Sequence, residues 1–258
     1  MPDKHLYDYD GICWWCASPA NSREHKWKRS EVALIFGRGS YDSVVWLADR
    51  HGEAPQSELI RGPKAARLMF GYSLCAQCNG ARSQPFDHAY AEFSNYLLTH
   101  YSQVIKQCWF NLSEVYGADT ENQMRNLARY YGKHIGCRIA DKAGRVPENL
   151  VAFLDGREDS ATSVYSEFGI RSALLDLADH RVLSMRESVA DRASDPAHVG
   201  LTSFKSGLGI GAFEFLYDVN LDSDRPNTGN GIIENVHQDL WPHDEGLYEY
   251  KIHYKPRP

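Results

Sequence analysis

Two Cys-x-x-Cys pairs constrain the fold of this chain more than any other feature of its sequence. The pairs are Cys13/Cys16 and Cys75/Cys78, and the same two-residue gap separates the cysteines in each. Four thiolates satisfy the tetrahedral coordination of a zinc ion and leave no position open for water. We therefore expect one structural zinc ion (Zn2+) that ties the two segments together. The alternatives are a thioredoxin-like redox pair or unrelated cysteines, but neither pair lies in a thioredoxin-like strand–helix context.

The composition indicates a folded protein. Of the 258 residues 43% are hydrophobic and the net charge is only -6, values that exclude a disordered chain. The length corresponds to one large domain or two small ones. There is no apolar run of the length that spans a membrane, so no membrane partner is expected. The first residues, MPDKHLYDYDG, lack the apolar run of a signal peptide, so we expect a cytoplasmic location in which cysteines stay reduced.

The apolar periodicity predicts an α+β fold with an N-terminal zinc-knuckle module, a helical middle and a strand-rich C-terminal part. Helices are predicted at 30–36, across 89–112, from a Thr120-x-x-Gln123 capping box onward, and at 147–154. Strands are predicted at Val44–Leu47, in a hairpin inserted between the cysteine pairs, and at 211–221 and 248–255, with a polar loop or short helix over 184–200. Cys108 and Cys137 fall in helical patterns and are expected to be small buried residues. We expect two domains, 1–95 and 96–258.

Three further residues lie in the frame that the cysteine pairs define. Glu24 and His25 stand between the pairs, and Asn79 directly follows Cys78. In this order the segment 11–95 resembles the HNH (ββα-metal) endonuclease superfamily, and it is most similar to the zinc-knuckle type that includes phage T4 endonuclease VII. The resemblance implies that this segment forms a ββα-metal nuclease module. The chain after that segment resembles no family.

The resemblance also implies roles for these three residues. His25 would be the general base that takes a proton from the attacking water, a role for which imidazole is suited because its pKa lies near neutrality. Glu24 and Asn79 would supply oxygen ligands to one Mg2+ or Mn2+ ion. That ion would stabilise charge on the scissile phosphate and on the leaving 3′ oxygen, while the zinc would remain structural.

Basic residues flank both cysteine pairs. Arg23, Lys26, Lys28 and Arg29 form one cluster, which is either a solvated face or a nucleic-acid surface. Its position beside the cysteine pairs favours the second interpretation. The resemblance implies that these four residues and Arg82 contact backbone phosphates, which gives salt-sensitive binding of low sequence specificity. The expected partner is therefore nucleic acid, and DNA in the first place.

Departures from the family pattern leave two functions open. The stretch LMFGYSL before the second cysteine pair lacks the Asn that the family often places there, and an insertion is implied at about 38–65. In addition, Glu24 replaces the commoner Asp, and Arg82 replaces the usual Lys. One function is a metal-dependent endonuclease that hydrolyses phosphodiester bonds. The other is a catalytically inactive zinc-knuckle module that binds nucleic acid or protein.

Overall fold

The computed structural model describes residues 11–48, 56–142, 144–171, 182–186, 189–192, 201–221, 230–243 and 248–254, and it has the predicted α+β class. The helices are α1 (Arg29–Phe36), α2 (Gln84–Thr99), α3 (Tyr101–Gln107), α4 (Leu112–Tyr116), α5 (Thr120–Asp141) and α6 (Glu148–Leu154), with 3-10 turns at Ala66–Leu68 and Gly117–Asp119. The strands are β1 (Ser22–His25), β2 (Val44–Ala48), β3 (Gln56–Leu59), β4 (Met69–Leu74), β5 (Trp109–Asn111), β6 (Val164–Arg171), β7 (Val182–Arg186), β8 (Val189–Arg192), β9 (Leu201–Ile210), β10 (Phe213–Asn220), β11 (His237–Asp239), β12 (Trp241–His243) and β13 (Tyr248–Tyr254). In the part of the chain that the structure describes, no helix is both long and apolar enough to cross a membrane.

The first sheet pairs two strands that lie far apart in the sequence. β1 runs antiparallel to β4, with Ser22 opposite Leu74 and His25 opposite Met69. The first cysteine pair precedes β1 and the second directly follows β4, so the pairing of the strands brings all four cysteines to one end of this sheet. α2 begins shortly after the second pair. The order around the cysteines is therefore strand, strand, helix, with α1, β2 and β3 in the connection between the strands.

A sheet of nine described strands collects segments from both halves of the sequence. Its order is β12, β6, β10, β9, β7, β13, β2 and β3, and β8 pairs with a further stretch of β9. The hairpin predicted between the cysteine pairs is confirmed as β2–β3, and it joins the sheet through β13, where Ile252 lies opposite Trp46. Strands from both predicted domains thus share one sheet, and the division at residue 95 stays a prediction.

Helix α5 lies at the centre of the molecule and is buried almost continuously over residues 126–139. Tyr130 stacks on Tyr90 of α2 with ring centroids 3.8 Å apart, and Tyr131 stacks on Phe215 of β10 at 3.9 Å. A helix that buries its whole circumference belongs to a core rather than a surface. α5 therefore fixes α2 relative to the large sheet.

The helical prediction across 89–112 is confirmed through Gln107 as two helices, and it is wrong over 108–111. α2 ends at Thr99, α3 ends at Gln107, and the next residues form β5, which pairs with β11. The cause is Cys108, whose left-handed backbone (φ 58°) terminates α3 and turns the chain. The side chain of Cys108 is exposed, against expectation, whereas Cys137 is buried as expected.

Two further expectations need correction. Thr120 is the first residue of α5 and not its cap, because its hydroxyl donates to the carbonyl of Gly117. Asp119 occupies the N-cap position and accepts a 2.7 Å hydrogen bond from the side chain of Gln123. In the polar segment 184–200, the described residues belong to strands β7 and β8 and not to a loop or a helix.

Candidate metal centre and adjoining polar site

The four predicted zinc ligands come together as one cluster. The sulfur atoms of Cys13, Cys16, Cys75 and Cys78 all lie within 4.8 Å of one another, and those of Cys16 and Cys75 are 3.6 Å apart. A tetrahedral zinc with Zn–S bonds of about 2.3 Å places its sulfurs about 3.8 Å apart. The cluster can therefore hold a metal ion such as zinc, as the spacing of the cysteines predicted.

Short backbone hydrogen bonds shape the two cysteine turns. The Cys13 amide donates to the carbonyl of Ser18 at 2.8 Å, which closes the first turn. In the second turn the Cys78 amide donates to the sulfur of Cys75 at 3.4 Å. The side chain of Asn21 accepts from the Ala76 amide at 2.8 Å and so joins the first segment to the second turn. The site is thus assembled by the backbone as well as by its ligands.

The environment acts differently on three thiols of the cluster. Burial acts to raise the pKa of the Cys16 thiol, but hydrogen bonds with Ser18 and the neighbouring cysteines outweigh it and lower the pKa to about 6. Burial raises the pKa of the Cys13 and Cys78 thiols above the ordinary value. Zinc binds thiolates and drives deprotonation of its ligands, so the metal would offset the cost of burying these sulfurs. The donor set of four sulfurs therefore fits zinc both in geometry and in charge.

Asn79 links the second cysteine turn to β1. Its amide nitrogen donates to the Ser22 hydroxyl at 2.9 Å and to the Arg23 carbonyl at 3.1 Å, while its buried amide oxygen has no hydrogen-bond partner among the described residues. The structure thus brings Asn79 against the strand that carries Glu24 and His25. A buried amide oxygen without a hydrogen-bond donor is unusual in a folded protein. Such an oxygen is suited to bind a cation or to accept a hydrogen bond from a ligand.

His25 stands at the end of β1 in a half-buried position. Burial lowers the pKa of its imidazole, and the nearby cations Arg29, Arg23 and Lys133 act in the same direction, whereas Glu24 opposes them. The ring is therefore neutral near pH 7, as a proton acceptor must be. Its Nε2 atom is buried and has no hydrogen-bond partner among the described residues.

Sequence reasoning missed Lys133, which contacts Glu24. The Lys133 ammonium lies 2.8 Å from a carboxylate oxygen of Glu24 and 3.6 Å from one of Asp87, and its side chain is only 1% exposed. It also donates to the Ser83 hydroxyl at 3.2 Å. Burial acts to lower the pKa of Lys133, but the attraction of Glu24 and Asp87 outweighs it and raises the pKa, so the ammonium stays charged. No local pattern in the sequence marks this residue, which is far from Glu24 along the chain.

Lys28 completes a compact cluster of four charges. Its ammonium donates to the backbone carbonyl of Asp87 and lies 3.7 Å from that residue's carboxylate. Burial lowers the pKa of Lys28, against the attraction of Asp87. Glu24, Asp87, Lys28 and Lys133, which we call the charge cluster, thus pair two carboxylates with two ammonium groups. Lys28, predicted to contact nucleic acid, has its charge directed inward.

Three other residues predicted to contact phosphate, Arg23, Lys26 and Arg29, lie near β1 in the sequence. Arg29 is exposed. Arg23 donates to the Phe70 carbonyl at 2.8 Å, and its guanidinium lies over the ring of Tyr72, which is 63% exposed. Lys26 lies over the Phe70 ring at 5.8 Å. Arg23 and Lys26 thus lie against β4, and Arg29 on α1 is close enough to His25 to lower its pKa. We call these three residues the basic face.

Arg82 lies against the cysteine cluster. Its guanidinium donates to the sulfur of Cys78 at 3.7 Å, pairs with the carboxylate of Asp155 and lies 4.6 Å from the centre of the Trp15 ring. Trp15 in turn donates its indole N–H to Asp155 at 2.7 Å. Arg82 thus joins the second cysteine turn to the end of α6, and its contact with nucleic acid stays a prediction.

Comparison with protein-family models, with curated proteins and with solved structures finds no match for this chain. The geometry of its own residues is therefore the basis for a functional assignment.

Proposed function

We propose that this protein is a metal-dependent endonuclease of the HNH type that hydrolyses phosphodiester bonds in DNA. One observation carries the proposal. In the sequence order Cys-x-x-Cys, Glu-His, Cys-x-x-Cys-Asn, the Glu-His pair lies on β1 and the second cysteine pair with its Asn lies in the turn between β4 and α2. The pairing of β1 with β4 clusters the four sulfurs at one end of these strands. The order strand, strand, helix is the one expected of a ββα-metal module, which supports the proposal, and Asn79 contacts β1 beside Glu24.

In the proposed mechanism His25 accepts the proton of the attacking water. Its imidazole, whose pKa is lowered by burial, is neutral and therefore suits that role. The oxygens of Glu24 and Asn79 are the hard donors that Mg2+ and Mn2+ prefer, and the buried Asn79 oxygen has no donor among the described residues. A bound ion would supply positive charge to the scissile phosphate and the leaving oxygen.

The basic face supports DNA as the substrate. Arg23 and Lys26 lie against β4, Arg29 is exposed at the start of α1, and the exposed ring of Tyr72 next to Arg23 offers a surface for stacking. Contacts of this kind bind the phosphate backbone with little sequence preference. We expect the affinity of the protein for DNA to fall steeply as the salt concentration rises.

A second function is favoured by the contact between Lys133 and Glu24. An ammonium 2.8 Å from the carboxylate already neutralises much of the charge that a divalent ion would use. The absence of an Asn from the stretch before the second cysteine pair also favours this second function. The alternative is therefore a catalytically inactive zinc-knuckle module that binds nucleic acid or protein.

Nicking of supercoiled plasmid DNA separates the two functions. The wild type, His25→Ala and the exposed-histidine control His237→Ala are compared with Mg2+, with Mn2+ and with EDTA, and zinc content is measured throughout. We expect cleavage with a divalent ion, a loss of about 10²–10⁴-fold for His25→Ala, and no loss for the control. Failure of the wild type to cut with any ion supports the binding module. Equal cleavage by His25→Ala excludes His25 as the base.

A further inference from the structure

A polar cleft of about 310 Å³ opens between the first turns of α2 and the first half of α5. It is lined by Gln84, Pro85, His88, Asn122, Gln123 and Asn126. Four of these six side chains are carboxamides, and none is a lysine, an arginine or a carboxylate. A phosphate would need cationic partners that the lining lacks, so the cleft is suited to an uncharged group with several hydrogen-bond donors and acceptors.

The amides of the cleft retain hydrogen-bonding capacity. Asn126 is only 8% exposed, yet the hydrogen bond described for its amide nitrogen, to the Gln123 oxygen, is 3.5 Å long and so marginal. The nitrogens of Gln123 and Asn122 donate to Asp119 at 2.7 and 3.3 Å, which orients both side chains. Buried amides normally have satisfied partners, and a ligand in the cleft would supply them for Asn126.

The cleft adjoins the proposed nuclease site along the same two helices. Ser83 and Asp87, which contact Lys133, directly precede two residues of the cleft lining, Gln84 and His88. Along α5, Asn126 lies seven residues before Lys133, which corresponds to about 10 Å at a rise of about 1.5 Å per residue. Successive nucleotides of a duplex strand rise about 3.4 Å, so this separation spans about three nucleotides.

We propose that this cleft binds a single nucleobase, rotated out of the stack, close to the scissile phosphate at Glu24 and Asn79. The inference rests on the proposed action on DNA and adds a recognition site to it. Carboxamides match the paired donors and acceptors at the edges of bases, and the rings of Pro85 and His88 offer faces against which a base can stack. The volume lies at the lower end of the range for ligand pockets and is sufficient for one base with its sugar.

The test uses fluorescence anisotropy to measure the affinity of the protein for two matched DNA duplexes. No Mg2+ or Mn2+ is added. One duplex carries a single unpaired nucleotide, in four versions for the four bases, and the other carries an abasic residue at the same place. We expect the wild type to bind at least one base-containing duplex about tenfold more tightly than the abasic duplex. Gln123→Ala and Asn126→Ala should abolish that preference while leaving affinity for the abasic duplex unchanged.

Two further variants keep the experiment decisive. Asn122→Ala removes an exposed amide from the rim, so it should weaken the preference even if Asn126→Ala proves unstable in a thermal melt. Gln103→Ala, an exposed amide on α3 outside the cleft, should change nothing. Equal binding of base-containing and abasic duplexes overturns the inference but leaves the proposed action on DNA standing. A preference that survives in all cleft variants also overturns it. If neither duplex binds, both the inference and the DNA-directed function fail.

Discussion

At the scale of single residues, the charge cluster is the most unusual feature. Lys133 is almost fully buried and relies on the carboxylates of Glu24 and Asp87 for its charge. Removing one partner of a buried ion pair leaves an uncompensated charge and costs far more than the pair itself contributes. The same contact fixes the orientation of Glu24, so stability and the geometry of the site depend on one ammonium group.

Replacing that ammonium tests its importance for stability. Lys133→Met should lower the free energy of unfolding by about 3–5 kcal/mol, because Glu24 and Asp87 lose their buried partner. Arg125→Met is the matched control, since Arg125 pairs with Glu121 on the exposed face of the same helix and should cost at most about 1 kcal/mol. Urea denaturation measures the free energy of unfolding of both variants. Equal losses would contradict the assignment of a structural charge to Lys133.

A buried carboxyl group in α1 predicts a pH dependence of stability. Glu31 is buried and accepts a 2.8 Å hydrogen bond from the Tyr90 hydroxyl, and burial raises its pKa from 4.5 to about 7. Between pH 4.5 and about pH 7 the native state holds a proton on Glu31 that the unfolded chain has released. This contribution to stability is therefore complete below about pH 4.5 and is lost as the pH rises to about 7, amounting to about 3 kcal/mol.

Glu31→Gln removes this titration while keeping the shape of the side chain. We expect its free energy of unfolding to fall less between pH 5 and pH 8 than that of the wild type, as measured by urea denaturation. Taking the difference between the two proteins cancels the pH dependence of the cysteine cluster, which they share. Parallel curves for the two proteins would show that Glu31 is ionised in the native state.

At the scale of elements, the cysteine turns are expected to depend on metal. Cys75→Ser should lower the zinc content from one ion per chain to near zero and reduce the thermal stability, because zinc binding is part of the folding free energy of such a site. Cys108→Ser is the matched control, since Cys108 is exposed and outside the cluster. Elemental analysis measures the zinc content of both variants, and thermal melts measure their stability. Wild-type protein without zinc, freshly purified, would contradict the assignment.

The contact of α5 with the first cysteine turn depends on a glycine. A Cβ atom at Gly136 would lie 2.5 Å from the ring of Trp14, whereas at Gly132 the nearest atoms are leucine methyl groups at 3.2 and 3.3 Å. Alanine is the better helix former by roughly 0.5–1 kcal/mol, but overpacking costs about 1–3 kcal/mol. Gly136→Ala should therefore destabilise the protein, and Gly132→Ala should change it much less. Unfolding curves for the two variants provide the comparison.

Local patterns in the sequence predicted those elements whose cause is local. Helix α1 and the strands β10 and β13 were recognisable because their apolar residues recur at helical or alternating spacing, and β2 was recognisable as a short continuous apolar run. The cysteine cluster was predictable because two equal gaps imply a shared ion. The break after α3 was not predictable from the sequence, because it depends on the left-handed backbone of Cys108. Lys133 could not be found either, because only tertiary packing brings it to Glu24.

At the scale of the whole molecule, the N-terminal segment shares its structure with the rest of the chain. The hairpin β2–β3 pairs with β13, and α2 packs on α5, so both lose partners if the chain is cut at residue 95. We expect a fragment of residues 1–95 to show no cooperative thermal transition, even with zinc, because isolated hairpins are only marginally stable. Circular dichroism of the fragment and of the full chain measures this. A cooperative, zinc-dependent transition in the fragment would establish an independent domain.

The position of β13 between β7 and β2 has a consequence for how such a gene can change. A segment that folds by itself can be transferred between genes as a cassette. Here β2 in the first third of the chain pairs with β13, a strand far from it in the sequence, so recombination that exchanges one of the two strands without the other would separate β2 from its partner. We therefore expect the segment that carries the cysteine pairs to be inherited together with β13, the strand that pairs with β2.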